Sequence, residues 1–228
     1  MEWSPIWISI KTAACTIVVV FFLGLAAAKL VADRKSEKTK MILDGILTLP
    51  MVLPPTVAGY FLLYLFGVKR PIGMFFLSYF GIKIAFSWGA TVLAAAVISF
   101  PLMYRTSRGA LEQVDENLIY AARTLGFSEW KIFFRVSLPA CMPGIASGAI
   151  LAFARGLGEF GATAMIAGNI LGKTRTLPLA VYSAVSAGDM ETAGNYVMVI
   201  VLVSFLAVVF LNFLTGKERR SRRGGGRR

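Results

Sequence analysis

Histidine is absent from this chain of 228 residues. Imidazole is the side chain that most readily exchanges a proton near neutral pH and the commonest metal ligand. Without it a hydrolytic triad or a zinc site has little to build on. Cysteine occurs only as Cys15 and Cys141, both in or beside apolar runs, so no disulfide framework is implied. Charged residues are 16% of the chain, against roughly 25% in soluble domains. A membrane enzyme such as a lipid-modifying transferase would gather carboxylates or His near the interface. The acids of the longest polar stretch, Glu112, Asp115, Glu116 and Glu129, are better explained as helix starts. The phosphate-cradling pattern GxxxxGK[ST] is missing too.

What is present is apolar: 57% of residues are hydrophobic, in long runs, the mark of a membrane protein. The formal net charge of +12 does not point to nucleic acid, because 7 of the 24 basic residues sit in the terminal segment "KERRSRRGGGRR", which reads as a cytoplasmic anchor. The domain organisation expected is a single transmembrane unit, 1–214, followed by a basic, disordered cytoplasmic tail, 215–228.

Five apolar runs, 6–32, 44–67, 84–104, 140–170 and 193–214, each reach the roughly 20 residues that a helix needs to cross the hydrocarbon core. The run 71–82 is too short to span comfortably. The run 140–170 would make one helix of about 45 Å against a core of about 30 Å. Gly156, Gly158 and Gly161 are expected to break it, leaving "FGATAMIAGNI" as a second, re-entrant piece. Five spans are expected, with six as the alternative. Glu2 precedes the first run, whereas Arg34, Lys35, Lys38 and Lys40 follow it, the reverse of a cleaved signal peptide. The N-terminus is then outside and the C-terminus inside. The segments 33–43, 105–139 and 215–228 become cytoplasmic and hold most of the Lys and Arg.

Two features inside the runs are polar or breaking. Pro50, Pro54 and Pro55 each remove a backbone donor and push the preceding residue away from helix. Broken backbone in lipid must be buried in protein or line a wet cavity, so this run is either a pathway or gate helix, with Thr56 beside the break, or one kinked for packing. In the fourth run, Arg155 and Glu159 are four residues apart and within reach of each other. Ionisable groups at membrane depth usually face a bundle interior; the pair is either structural or part of an anion-handling gate. Small residues at Ala140, Gly144, Gly148, Ala152 and Gly156 form a stripe suited to close helix contact, within one subunit or between two.

The polar segment "ENLIYAARTLGFSEWKIFFRVSLP", 116–139, stands out in so oily a chain. Asp115 is placed to cap a helix in which Leu118, Ala121, Ala122 and Leu125 recur at helical spacing. Gly126 fits the left-handed position that ends it. Ser128 can cap a second short helix, and Leu138-Pro139 is expected to turn the chain into the next span. This cytoplasmic helix–turn–helix elbow either enters a groove on a soluble partner or lies in the headgroup layer.

The segment "YAARTLGFSEWKIFFRVSLP" resembles the "EAA" signature of permease subunits of ABC importers, with Ala121, Ala122, Gly126, Val136, Leu138 and Pro139 in register. Tyr120 stands where the family has Glu, and Val136 where it has Ile. "LPMVLPPTVAGYFLLYLFG", "ISFPLMYRT" and "ARGLGEFGAT" extend the resemblance to the molybdate/tungstate branch, with sulfate permeases close by, over nearly the whole chain except the tail. The resemblance implies an all-α integral membrane protein with the type I ABC importer permease fold, whose elbow is a coupling helix. It further implies a homodimer around the pathway, a cytoplasmic ABC ATPase dimer that carries ATP and Mg, and an extracytoplasmic oxyanion-binding protein. No cofactor or metal is expected on this chain, and its surroundings are the lipids of the cell membrane. Tyr120, Ala121, Ala122, Gly126, Leu138 and Pro139 are the implied ATPase-coupling residues. Pro54, Pro55, Thr56, Arg155 and Glu159 are the candidate pathway or gate residues. An ion-coupled carrier, which would place ionisable groups at mid-membrane, has only Arg155 and Glu159 to use.

Overall fold

The computed structural model describes residues 2–34 and 36–224, and every regular element among them is helical. In chain order these are α1 (Ser4–Ala32), α2 (Glu37–Val52), α3 (Pro55–Phe66), α4 (Pro71–Phe80), α5 (Trp88–Glu112), α6 (Glu116–Thr124) and α7 (Glu129–Ile132). A π-helical turn (Phe133–Ser137) leads into α8 (Leu138–Leu157), followed by α9 (Gly161–Ile166), α10 (Leu177–Ser186) and α11 (Met190–Gly224).

α1, α5 and α8 make the centre, and small residues explain why. The buried face of α1 runs through Ser9, Thr12, Ala13, Thr16, Val20, Gly24 and Ala28, nearly all short enough to let α5 approach. At Gly24 a Cβ would come within 2.7 Å of Met103 Cγ. The stripe expected on α8 turns the same way, inward within one chain. A Cβ on Gly144 would meet Ala110 Cβ at 2.6 Å, and one on Gly148 would meet Thr106 Cβ at 2.9 Å. Ala152 and Gly156 continue the buried line.

Two details differ from the sequence reading. The run 44–67 is broken outright, further than a kink. α2 and α3 are separate helices bent by 106° at Leu53-Pro54. Pro54 and Pro55 both lack an N–H and both exclude helix from the residue before them, so the ladder stops outright. Pro50, alone, is absorbed within α2. Secondly, Leu138-Pro139 makes no turn: Glu129–Leu157 is one helical rod. The π turn admits Pro139, because Leu138 N–H reaches back to Phe133 O, and the widened turn relieves the clash of the Pro ring with the preceding turn. Among the described residues four helices are long and apolar enough to cross a membrane, and the bent pair counted as one gives the five spans expected. As expected, the run 140–170 breaks near Gly158, which caps α8, and resumes as the short α9. In α11 the apolar stretch is Met190–Phe210, and the helical backbone continues through Gly224. Residues 225–228 of the basic tail lie outside the described residues.

The bundle has two distinct ends. At one, Leu177 N–H donates to Ser9 Oγ at 2.7 Å, Trp88 Nε1 donates to Thr12 Oγ1 at 3.1 Å, and Tyr196 Oη donates to Glu2 O at 3.1 Å. At the other, Lys29 lies over the Phe133 ring and Arg108 reaches Asp44. The elbow and most of the Lys and Arg of the loops belong to this second end.

Candidate functional site

The elbow is built by local chemistry. Asp115 is extended and its carboxylate accepts from Asn117 N–H at 2.9 Å, opening α6. Gly126 closes it with φ of +75°, and Phe127 N–H returns to Ala122 O at 3.1 Å. This is the left-handed stop that a glycine permits without steric cost. Ser128 then caps α7, accepting from Lys131 N–H at 3.4 Å. The corner is clamped by a bidentate pair, Arg123 Nε and Nη2 donating to the two carboxylate oxygens of Glu129 at 2.8 and 3.1 Å. That bond to Glu129 holds the Arg123 guanidinium pKa above its ordinary value. Planar fork-to-fork pairing fixes an angle as well as a distance.

Of the six coupling residues implied by the resemblance, Ala122 is 5% exposed, on a helix that packs against α7 and the π turn, whereas Tyr120 is exposed, its hydroxyl 3.4 Å from Glu116. Ala121 and Gly126 are also exposed, and Leu138 and Pro139 lie on the rod beyond the π turn. Leu125 and Trp130, 73% and 75% exposed, flank the corner. Beside the elbow, α5 and α8 border an open cavity of about 770 Å³ that reaches from Arg105 and Gln113 to Asp115, Pro143 and Ser147.

The other candidates meet each other. The start of α3 abuts the start of α9, so a Cβ on Gly161 would stand 3.0 Å from Pro55 Cβ and 3.1 Å from Thr56 N. Two residues before Gly161, Glu159 is 2% exposed. One of its oxygens accepts from Arg155 Nη1 at 2.7 Å and the other from Ala162 N–H at 2.8 Å. Glu159 therefore tethers the last turn of α8 to the first turn of α9, with both oxygens occupied. This geometry favours the structural reading of the pair over a free anion gate. Pro54, Pro55 and Thr56, with Arg155 and Glu159, form one junction of two broken helices.

A further cluster was not legible in the sequence as a site. Asp44 of α2 accepts from Arg108 Nη1 at 2.8 Å and from Tyr104 Oη at 3.1 Å, both on α5. The available signal was a lone carboxylate near the start of an apolar run.

Residues 14–223 match the family model described as the binding-protein-dependent transport system inner membrane component. The chain belongs to that family. The permease is 43% identical over 226 residues to the molybdenum transport system permease protein ModB of Escherichia coli K12, covering 99% of this chain and 97% of that one. It is 39% identical to the protein of the same name from Haemophilus influenzae, covering 96% of each chain. It is also 41% identical to the putative molybdenum transport system permease protein YvgM of Bacillus subtilis, covering 92% of each. Among solved structures it resembles the inward-facing MetNI methionine ABC transporter, with TM-score 0.74, 17% identity, and coverage of 93% and 94% of the two chains. A bacterial ABC transporter involved in alginate import gives TM-score 0.70 at 14% identity, covering 95% of this chain and 78% of that one. At such identities these structures establish the fold: that of an ABC importer permease, as the EAA spacing implied. The permease is a multi-pass membrane protein and a transport component rather than an enzyme.

Proposed function

We propose that this chain is the transmembrane subunit of an ABC importer that carries molybdate, or its near isostere tungstate, across the cytoplasmic membrane. The observation that carries this reading is the elbow. A short capped helix in the EAA register projects from the basic end of the bundle, and exposed Tyr120, Leu125 and Trp130 offer apolar surface to a soluble partner. The partner is a dimer of cytoplasmic ATPases, and ATP and Mg are held there. The pathway forms between two copies of the permease, because among its described residues a single chain offers four full-length crossing helices and one broken pair. An oxyanion-binding protein delivers the ion on the outer face. The N-terminus lies outside and the C-terminus in the cytoplasm, which places the elbow and most of the loop Lys and Arg inside. Membrane lipids cover the apolar outer surface, and nucleic acid is not a partner.

Substrate choice rests on the relatives named for molybdenum transport. Uptake of molybdate in a strain lacking this gene tests it. Loss of high-affinity uptake, restored by the gene and competed by tungstate more than by sulfate, is the expected result. Unchanged molybdate uptake with lost sulfate uptake would move the permease to the sulfate branch.

A further inference from the structure

α2 is thinly attached to the fold: none of its residues is buried, although it leads directly to the break at Pro54. Leu43 and Leu47 lean on a small cluster around Ala28, Val31 and Tyr104. The directional contact is polar. Asp44 Oδ1 accepts from Arg108 Nη1 at 2.8 Å and from Tyr104 Oη at 3.1 Å. The two donors are well held. Tyr104 is fully buried and stacks on Phe100 with centroids 6.1 Å apart and planes at 6°. Arg108 is anchored by a second bond, Nε to Glu112 Oε1 at 2.8 Å. Charges are balanced locally, since Arg105 and Arg108 share a cavity of about 260 Å³ with Asp44 and Glu112.

The position of this cluster gives it a role. Glu112 is the last residue of α5, and only Gln113, Val114 and Asp115 separate it from the elbow helix α6. Arg108 thus sits one helical turn from the stem of the elbow and grips the helix that ends at the gate junction. Beyond the 106° bend, α3 is locked on α9, because a Cβ on Gly59 would stand 2.6 Å from Ala162 Cα. Charge-assisted bonds with fixed partners on both sides hold geometry as well as energy, and hydrogen-bond networks are among the links that carry coupling between sites.

We propose that Arg108 and Tyr104 are positioning residues that carry motion of the elbow, through Asp44, to the α2–α3 break. This rests on the importer reading above and names the link by which the elbow acts on the pathway. Severing it separates two quantities that a merely structural bond would lower together.

The test uses the full complex with its ATPase in proteoliposomes, reading molybdate uptake and ATP hydrolysis on the same sample. Asp44→Asn is expected to leave copurification intact and hydrolysis within about twofold, while uptake per ATP falls about tenfold. Tyr104→Phe retains the buried ring and removes one bond to Asp44; it is expected to give the same uncoupling to a smaller degree, and it serves should Asp44→Asn fail to fold. A second readout is independent of substrate. Amide exchange at Met51, Val52, Thr56 and Val57 should change when ATP is added to the wild-type complex and not to the Asp44→Asn complex. Uptake per ATP and ATP-linked exchange that match wild type in both variants would overturn the link. A wild-type complex that moves no molybdate yet shows the exchange change, lost in Asp44→Asn, would sink the substrate reading and sustain the link.

Discussion

Gly161 lies against Thr56 so closely that a Cβ on the glycine would stand 3.1 Å from the Thr56 nitrogen and 3.2 Å from its methyl carbon. Two helices that start from breaks are thereby locked nose to nose, and one turn further on Gly59 touches Ala162 in the same way. Overpacking such a contact costs about 1–3 kcal/mol. Gly59→Ala should therefore lower the melting temperature of the detergent-purified protein. Gly45→Ala, at a helical glycine with nothing within 4 Å of a Cβ, should leave it unchanged or raise it. Equal melting of the two variants would refute the packing described at this junction.

Glu159 has both oxygens occupied, by Arg155 and by the Ala162 N–H. Glu159 is buried while the Arg155 side chain is 34% exposed, so deleting the carboxylate costs at least the ~1–3 kcal/mol of leaving a buried donor, the Ala162 N–H, unpaired. Glu159→Ala should accordingly reduce abundance in the membrane severely. Glu159→Gln retains one acceptor for Ala162 and should give moderate loss of abundance with normal uptake per folded molecule. Uptake lost at normal abundance in Glu159→Gln would instead put the carboxylate in the ion's path.

How much of this was legible in the sequence depended on whether the signal was local. Asp115, Gly126 and Ser128 announced the elbow because capping and left-handed geometry are written in single residues. Pro54-Pro55 announced a break but not its 106° angle, which is set by where α3 finds α9. Leu138-Pro139 misled, since proline usually ends a helix and here a π turn five residues long admits it. The stripe Gly144–Gly148 announced a close contact but not its partner, as the matching Ala110 and Thr106 lie on another helix. Asp44 and Arg108, 64 positions apart, have no sequence pattern in common, and only the fold joins them.

The α5–α8 seam makes a sharp comparison. A Cβ on Gly148 would meet Thr106 Cβ at 2.9 Å, whereas one on Gly109, on the facing helix, would meet nothing within 4 Å. Gly148→Leu should abolish stable insertion, seen as loss of the full-length protein from membranes. Gly109→Ala should be neutral. A well-expressed Gly148→Leu protein would contradict the seam.

At the elbow, Gly126 has φ of +75°, a conformation that costs an ordinary L-residue about 1–2 kcal/mol and Asn less. Gly126→Leu should weaken copurification of the ATPase several-fold, and Gly126→Asn should largely spare it. Ala122→Trp, at a position only 5% exposed, should also displace the elbow. Melting of the isolated permease should change little for the Gly126 variants, because the corner lies outside the packed bundle. Undiminished ATPase binding by Gly126→Leu would show that α6 does not need its observed end.

The most direct measurement of the central claim is molybdate accumulation by proteoliposomes containing the permease and its binding protein, with the ATPase either present or stripped away. Accumulation that requires both the ATPase and ATP on the elbow side is the predicted result. Accumulation by the stripped vesicles, driven by an ion gradient alone, would contradict it.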